Sequence, residues 1–378
     1  MKIHTLAYSP DTGWTPPEFP SLDSEQTLIL AFAASSYLAN SAPFEELKKA
    51  FPNSMIVGCS TCGEIHADKL QDDSVTVAVA KFEYTKLSIS YAKIEHSGDS
   101  FVSGVGLAHR LDRRGLRCAF ILSGGRGVNG SELTRGLNSI FADDVILTGG
   151  IAGDGSKLSS TWILKEGMPV TGYACALGLY GDELIVGCGS EGGWSPFGPE
   201  RLVTRSQGNV LYELDDQPAL EVYRQYLGEH PDAFVDAGLF FPLSVRPKEH
   251  EDQHFVRTVV GINEEDNSLS FGGDIPQGSI AQLTYGKLDR LIEGAHNAAG
   301  HAGAGCLDGM LGVAISCVAR RRVLGERTEE EIEAVLSSLP RGSSLLGFYS
   351  SGEISPCANG HSDLHNQTMA LTTFAESA

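Results

Sequence analysis

The strongest constraint on this chain is a phrase that it uses twice. Val57-Gly58-Cys59-Ser60-Thr61-Cys62-Gly63-Glu64-Ile65 returns near the other end as Leu346-Gly347-Phe348-Tyr349-Ser350-Ser351-Gly352-Glu353-Ile354, with both glycines, the glutamate and the isoleucine in step. An apolar run leads into each copy, Met55-Ile56-Val57 in one and Leu345-Leu346 in the other, and reads as a buried strand. The first glycine permits close backbone approach and the second a turn at positive φ. A carboxylate follows where the strand stops. A ligand site at the carboxyl end of a strand has this form, and so does a strand–turn boundary whose acid holds a backbone amide. Two copies in one chain imply related halves.

The length of 378 residues exceeds what one hydrophobic core usually serves, so two domains are expected. The net charge of −20 and the pI near 4.9 repel phosphate backbones and anionic leaflets, which argues against nucleic-acid and membrane partners. Met1-Lys2-Ile3-His4 runs into Tyr8-Ser9-Pro10 without an apolar signal region, and no uninterrupted apolar span has membrane length. Apart from Cys59 and Cys62, the eight cysteines are scattered, as suits reduced thiols. The expectation is a cytoplasmic protein.

Buried strands are read at Leu28–Phe32, Val75–Ala80, Lys86–Tyr91, Cys118–Leu122, Val145–Thr148, Cys175–Tyr180, Leu311–Cys317 and Thr368–Phe374. Helices are read at Phe44–Ala50, Val102–Leu111, from a Ser131 cap to about Phe141, Asp215–Leu227, Lys287–Ala298 and Glu329–Leu339. Strand, glycine loop, helix and strand follow one another from Cys118 to Thr148, which is a βαβ-like unit. The fold class is therefore α/β: two pseudo-equivalent mixed-sheet domains with helices packed on the sheets. Gly, Ser, Pro and Trp crowd together at Gly189–Pro199. This divides the chain into a domain at 1–195, a connecting segment at 196–220 and a domain at 221–378.

Gly58 to Ile65, Gly149-Gly150-Ile151-Ala152-Gly153-Asp154, and Gly347 to Ile354 followed by His365-Asn366-Gln367-Thr368 together resemble the FIST proteins, which join a FIST N domain to a FIST C domain. Gly208 to Asp215, Phe241-Pro242-Leu243 and Ser316-Cys317-Val318-Ala319-Arg320 extend the resemblance from about Leu28 to Phe374. It implies a bacterial sensory module that binds a small ligand between its two domains, signals to a partner and is not an enzyme. The partner it implies is a histidine kinase or a cyclic-di-GMP signalling protein. The most concrete version is a NosP-type haem b protein that senses nitric oxide, and the alternative ligand is an amino acid or similar metabolite. The ligand-binding residues expected on this basis are Gly58, Ser60, Thr61, Gly63, Glu64, Gly150, Gly153, Asp154, Gly352, Glu353 and Asn366.

Each candidate also has a plainer reading. Glu64 and Glu353 are either ligand contacts or turn acids, and acid–base work would need raised pKa values in a shared cleft. The loops Ser123–Gly130 and Gly149–Gly155 have the glycine content of an anion cradle but fit neither the Walker nor the Rossmann pattern. Cys59-Ser60-Thr61-Cys62 has CxxC spacing, which admits a cysteine-dependent enzyme, yet the second copy carries Phe348 and Ser351 there. Packed small residues is the better reading. His365 is the expected axial haem ligand, with His250, His254, His296 and His301 as unranked alternatives, and the absence of CxxCH makes any haem non-covalent. The segment Cys317–Arg322 supplies cations for propionates or a solvated arginine cluster.

Overall fold

The chain is described here from a computed structural model, which covers all residues except 142–143, 156–159, 228–237, 250–253, 304–308, 358–359 and 378. Its backbone states one arrangement three times. In the first sheet the strands 163–165, 55–61, 27–34, 75–81 and 2–9 lie side by side. In the second, 352–356, 146–151, 116–123, 173–180 and 86–93 follow the same plan. In the third, 64–66, 344–350, 311–317, 369–376 and 184–191 do so again. Each runs antiparallel, parallel, antiparallel, antiparallel across these five strands.

The mixed α/β class and the packing of helices on sheets are as expected, and both phrase copies stand at equivalent places. The topology adds a third such place, at Ile146–Ile151. The glycines show the equivalence most directly. Gly58 lies opposite Ala31, Gly149 opposite Ile121 and Gly347 opposite Ala314, each across the parallel pair. A Cβ at any of the three would meet that neighbour's carbonyl oxygen at 1.8 to 1.9 Å.

Each unit gives away a hairpin. Glu64–His66 and Lys69–Gln71 leave the first unit for the edge of the third sheet. Ile163–Lys165 and Met168–Val170 leave the second for the first sheet. Gly352–Pro356 and Ser362–His365 leave the third for the second sheet. Where the three strand ends meet, equivalent backbone bonds close the ring: Cys62 N–H to Tyr349 O at 2.7 Å, Gly153 N–H to Ser60 O at 2.9 Å and Ser351 N–H to Ile151 O at 3.0 Å.

Alternation along the strands sends one face of every sheet inward and the other towards helices. Phe32, Phe120, Leu177, Ile315, Phe348 and Phe374 belong to one shared inner core. The outer faces are covered by the helix Ala42–Ala50, by Ser100–His109 with Gly130–Asn138, and by Leu288–Gly303 with Thr328–Ser338. The cap of Gly130–Asn138 is Asn129, whose side chain accepts from Glu132 N–H, so Ser131 sits inside the first turn instead of capping it.

Residues 194–286 interrupt the third unit and build a fourth sheet around Trp194–Gln207 and Ile280–Gly286, with a core of its own that includes Val203, Tyr223, Leu243 and Phe271. Residues 196–220, expected as a connecting segment, hold most of the strand Trp194–Gln207, the five-residue strand Val210–Leu214 paired with it and the start of the helix Ala219–Leu227, with Val203, Leu211 and Leu214 buried. Trp194 pairs with Gly286, so the insertion leaves and rejoins the unit at adjacent points.

Candidate functional site

The two phrase acids are held alike. Glu64 accepts from the Thr61 hydroxyl and from the Ser74 backbone at 3.0 Å and hydroxyl at 2.7 Å. Glu353 accepts from the Ser350 hydroxyl at 2.6 Å and from the Thr368 hydroxyl and backbone at 2.9 and 3.3 Å. In the third equivalent place, opposite Cys59, stands Ile163. Both carboxyls are buried. Burial pushes Glu64 up to about 7 and Glu353 up to about 8, against the pull of these hydrogen bonds. Each acid thus joins the end of one strand to the start of another.

The other expected ligand contacts also pack instead of opening onto a cavity. The Ser60 hydroxyl oxygen accepts from Trp162 N–H at 3.0 Å. A Cβ on Gly153 would strike the Cys62 sulfur at 2.2 Å, and one on Gly63 would strike the Arg321 guanidinium at 2.5 Å. Gly150 faces Ile315 and Phe348, and Gly352 faces Leu364. The Asp154 carboxylate accepts from Ser160 N–H at 3.0 Å. The glycine loops spend their amides internally: Gly125 and Arg126 on the Thr161 hydroxyl, Ala152 on Ser123 O, Gly153 on Ser60 O. These four amides are therefore not free to cradle an anion. Cys59 is fully buried and its thiol is pushed well above its usual range by burial, while Cys62 is pushed up to about 11. Neither supplies a thiolate nucleophile.

The accessible chemistry lies where the exchanged hairpin meets the insertion. Strand Ser362–His365 crosses through Asn366 and Gln367 to strand Met369–Glu376, with Gln367 at φ +62°. The insertion is stapled over this crossing. Trp194 Nε1 donates to Gln367 O at 2.8 Å, Gln367 Nε2 to Leu239 O at 3.0 Å, and Arg257 Nη1 to Leu364 O at 2.8 Å. Asn366 is buried against Gly272, and its Oδ1 has no hydrogen-bond partner among the described residues.

Strand Phe255–Arg257 divides the seam into two hollows, its side chains alternating between them. The larger, a cleft of about 540 Å³, is lined by Glu191, Trp194, Ser244, His254, Val256, Gln282, Thr284, Arg290, Glu293, His365 and Thr368. Glu353 stands directly behind Thr368. The smaller cavity, about 440 Å³, takes Phe255 and Arg257 from the same strand. None of the expected ligand contacts is among the residues that line these two hollows, and of the candidate histidines His365 and His254 line the cleft. Sequence reasoning missed Arg290 and Glu293, which lie on the exposed face of an amphipathic helix and carry no local signature. Arg257 did leave a signal: a charge inside the apolar strand Phe255-Val256-Arg257-Thr258-Val259-Val260.

His365 bears on haem. Burial pushes its imidazole down to about 4, so it is neutral, as a ligand must be. Its Nε2, however, lies 3.7 Å from the Cys357 sulfur, and its ring packs on Phe255 with centroids 5.9 Å apart. The cleft carries two carboxylates, Glu191 and Glu293, against one arginine, where a haem requires cations for its two propionates. These residues do not fit a haem. Nor does the arginine segment serve one: Arg320 is fully buried on Glu331, and Arg321 pairs with Asp72. His254 lines the cleft, His296 bonds Ser338, and His250 lies outside the described residues.

The fold is a mixed α/β molecule with a cleft between the insertion and the three-unit core. The FIST N domain matches residues 27–217 and the FIST C domain matches residues 219–356, a two-part division that the architecture accommodates. This chain belongs to the FIST family, whose domains are associated with small-ligand sensing in signalling. It is similar, at 25% identity over 272 residues, to an uncharacterised protein of Methanocaldococcus jannaschii, covering 66% of this chain and 52% of that one. The chain thus spans about half the length of that relative. An uncharacterised protein of Mycobacterium tuberculosis is 25% identical over 281 residues, 71% of this chain and 70% of its own. Among solved structures, a cyanuric acid hydrolase from A. caulinodans aligns with 100% of this chain and 99% of its own at 9% identity and a TM-score of 0.37. The expectation that the chain is not an enzyme is withdrawn, the aligned structure being that of a hydrolase. At that TM-score the likeness assigns no reaction. No helix among the described residues is long and apolar enough to cross a membrane.

Proposed function

We propose that the chain is a cytoplasmic sensor in which a small zwitterionic metabolite, an amino acid most concretely, binds the 540 Å³ cleft. The observation that carries this reading is the cleft's mixed charge: Arg290 for a carboxylate, Glu191 and Glu293 for an ammonium, with Trp194 and Val256 as apolar surface. One wall belongs to the inserted sheet and the other to the three-unit core, and the two have separate hydrophobic cores. A ligand touching both walls favours one relative placement, and a signalling partner reads the shift. A histidine kinase or cyclic-di-GMP protein is the partner proposed.

Thermal-shift screening of the common L-amino acids tests this. One of them raises the melting temperature of the wild type, as binding to the native state must, and raises it much less in Arg290→Ala and Glu293→Gln. No shift with any amino acid, or a shift indifferent to both substitutions, overturns the reading. A stoichiometric Soret band after expression with haem precursor, lost in His365→Ala, would replace it with haem sensing. Co-purification of the partner with and without the ligand then tests the relay.

A further inference from the structure

The geometry points to a second ligand site, separate from the cleft: the 440 Å³ cavity on the other face of strand Phe255–Arg257, which takes a small organic carboxylate with Arg257 as its counter-ion. The side chain of Arg257 is only 4% exposed. Two of its nitrogens are occupied, Nε by Asp274 O at 3.0 Å and Nη1 by Leu364 O at 2.8 Å. Among the described residues Nη2 lines up only with the Asp363 carboxylate at 3.9 Å, beyond hydrogen-bond reach. A buried guanidinium that lacks a close anion is costly.

The same protein shows how it treats a buried arginine meant for structure. Arg320 is fully buried, meets the Glu331 carboxylate at 2.8 and 3.1 Å, and spends its remaining donors on Gly192 O and Leu291 O. Arg257 lacks that partner and faces a cavity instead. The acids around the cavity each hold another group, while Asp363 and Asp274 also act on the Arg257 charge from a distance. Glu132 is paired with Arg135, Asp274 accepts from Asn129 Nδ2 at 3.0 Å, and Asp363 takes Leu364 N–H at 2.7 Å on the half-buried rim. The volume exceeds that of a simple inorganic ion. Phe255, Val245, Ile275 and Pro276 offer an organic body an apolar surface, and the Arg257 guanidinium carbon lies 5.3 Å from the Phe255 ring centroid. The ligand class is therefore a carboxylate on a small apolar or aromatic frame. This site stands whether or not the cleft binds a zwitterion.

Isothermal titration of the full chain with acetate, benzoate and 3-phenylpropionate provides the test, with benzamide as the neutral isostere of benzoate. The expected result is binding of an aromatic carboxylate and at least about tenfold weaker binding of benzamide, equivalent to about 1.4 kcal/mol. Asp363→Asn then tightens benzoate several-fold, because the ligand no longer competes with a carboxylate 3.9 Å from Nη2. Arg257→Lys weakens it, and if that variant fails to fold, Asp363→Asn alone decides. No binding by any of the three carboxylates, equal binding of benzamide, or unchanged or weaker binding in Asp363→Asn overturns the proposal.

Discussion

Gly347 has no room for a single added carbon. Its Cβ would lie 1.9 Å from Ala314 O, and the Gly58 equivalent 1.8 Å from Ala31 O. Backbone must move to relieve either clash, so Gly347→Ala and Gly58→Ala should each lose about 3 kcal/mol or more in denaturant unfolding. Gly300→Ala is the control: nothing lies within 4 Å, and an exposed helical position should gain up to about 1 kcal/mol. The buried acids give a pH signature. Glu64 and Glu353 are raised above the ordinary carboxyl value of 4.5, so the folded state holds protons that the unfolded chain releases. That stability is complete below about 4.5 and lost as pH rises through about 7 and then about 8. The melting temperature should fall through this window, and the fall should flatten in the Glu64→Gln/Glu353→Gln double variant; an unchanged slope would refute the assignment. The phrase glycines and acids were legible because they recur. Gly149 was not matched to them, because its copy is one residue shorter to Gly153 and has no glutamate.

Arg320 and Glu331 join the helices Val318–Leu324 and Thr328–Ser338 inside the third unit. Ser316 and Tyr349 both donate to the other Glu331 oxygen, at 3.0 and 2.7 Å. Arg320→Ala leaves that carboxylate buried without its cation, and the expected loss is about 3–5 kcal/mol by chemical denaturation. A loss below about 1 kcal/mol, the range of an exposed pair, would mean that the pair is not buried in solution. At this scale the sequence was most readable where an element satisfies itself. The helices Ala42–Ala50 and Thr328–Ser338 follow from apolar spacing, and the strands Thr27–Ala34 and Leu311–Cys317 from unbroken apolar runs. The exchanged hairpins were not readable as such. Glu64–His66 and Ile163–Lys165 are three residues each, and their edge positions are set by partners in other units.

The insertion and the three-unit core meet along a seam, and the insertion's ends are neighbours. Replacing residues 195–285 by a short turn between Trp194 and Gly286 should leave the core folded, with its far-ultraviolet spectrum consistent with three sheets and their helices. The same variant should lose every ligand response, since both hollows lose a wall. A core that fails to fold would show the insertion to be part of its stability. The crowded glycines and prolines near Gly189–Pro199 lie where the chain turns from an edge strand into the fourth sheet. The hairpin exchange has its own consequence for a chain made from one end on a ribosome. The hairpin at Glu64–Gln71 is synthesised early, yet the strand it must join begins only at Ser344. At ordinary elongation rates that partner emerges on the order of tens of seconds later. Until then the first unit carries an unmated arm, and the nascent chain is open to pairing with a neighbouring copy on the same messenger.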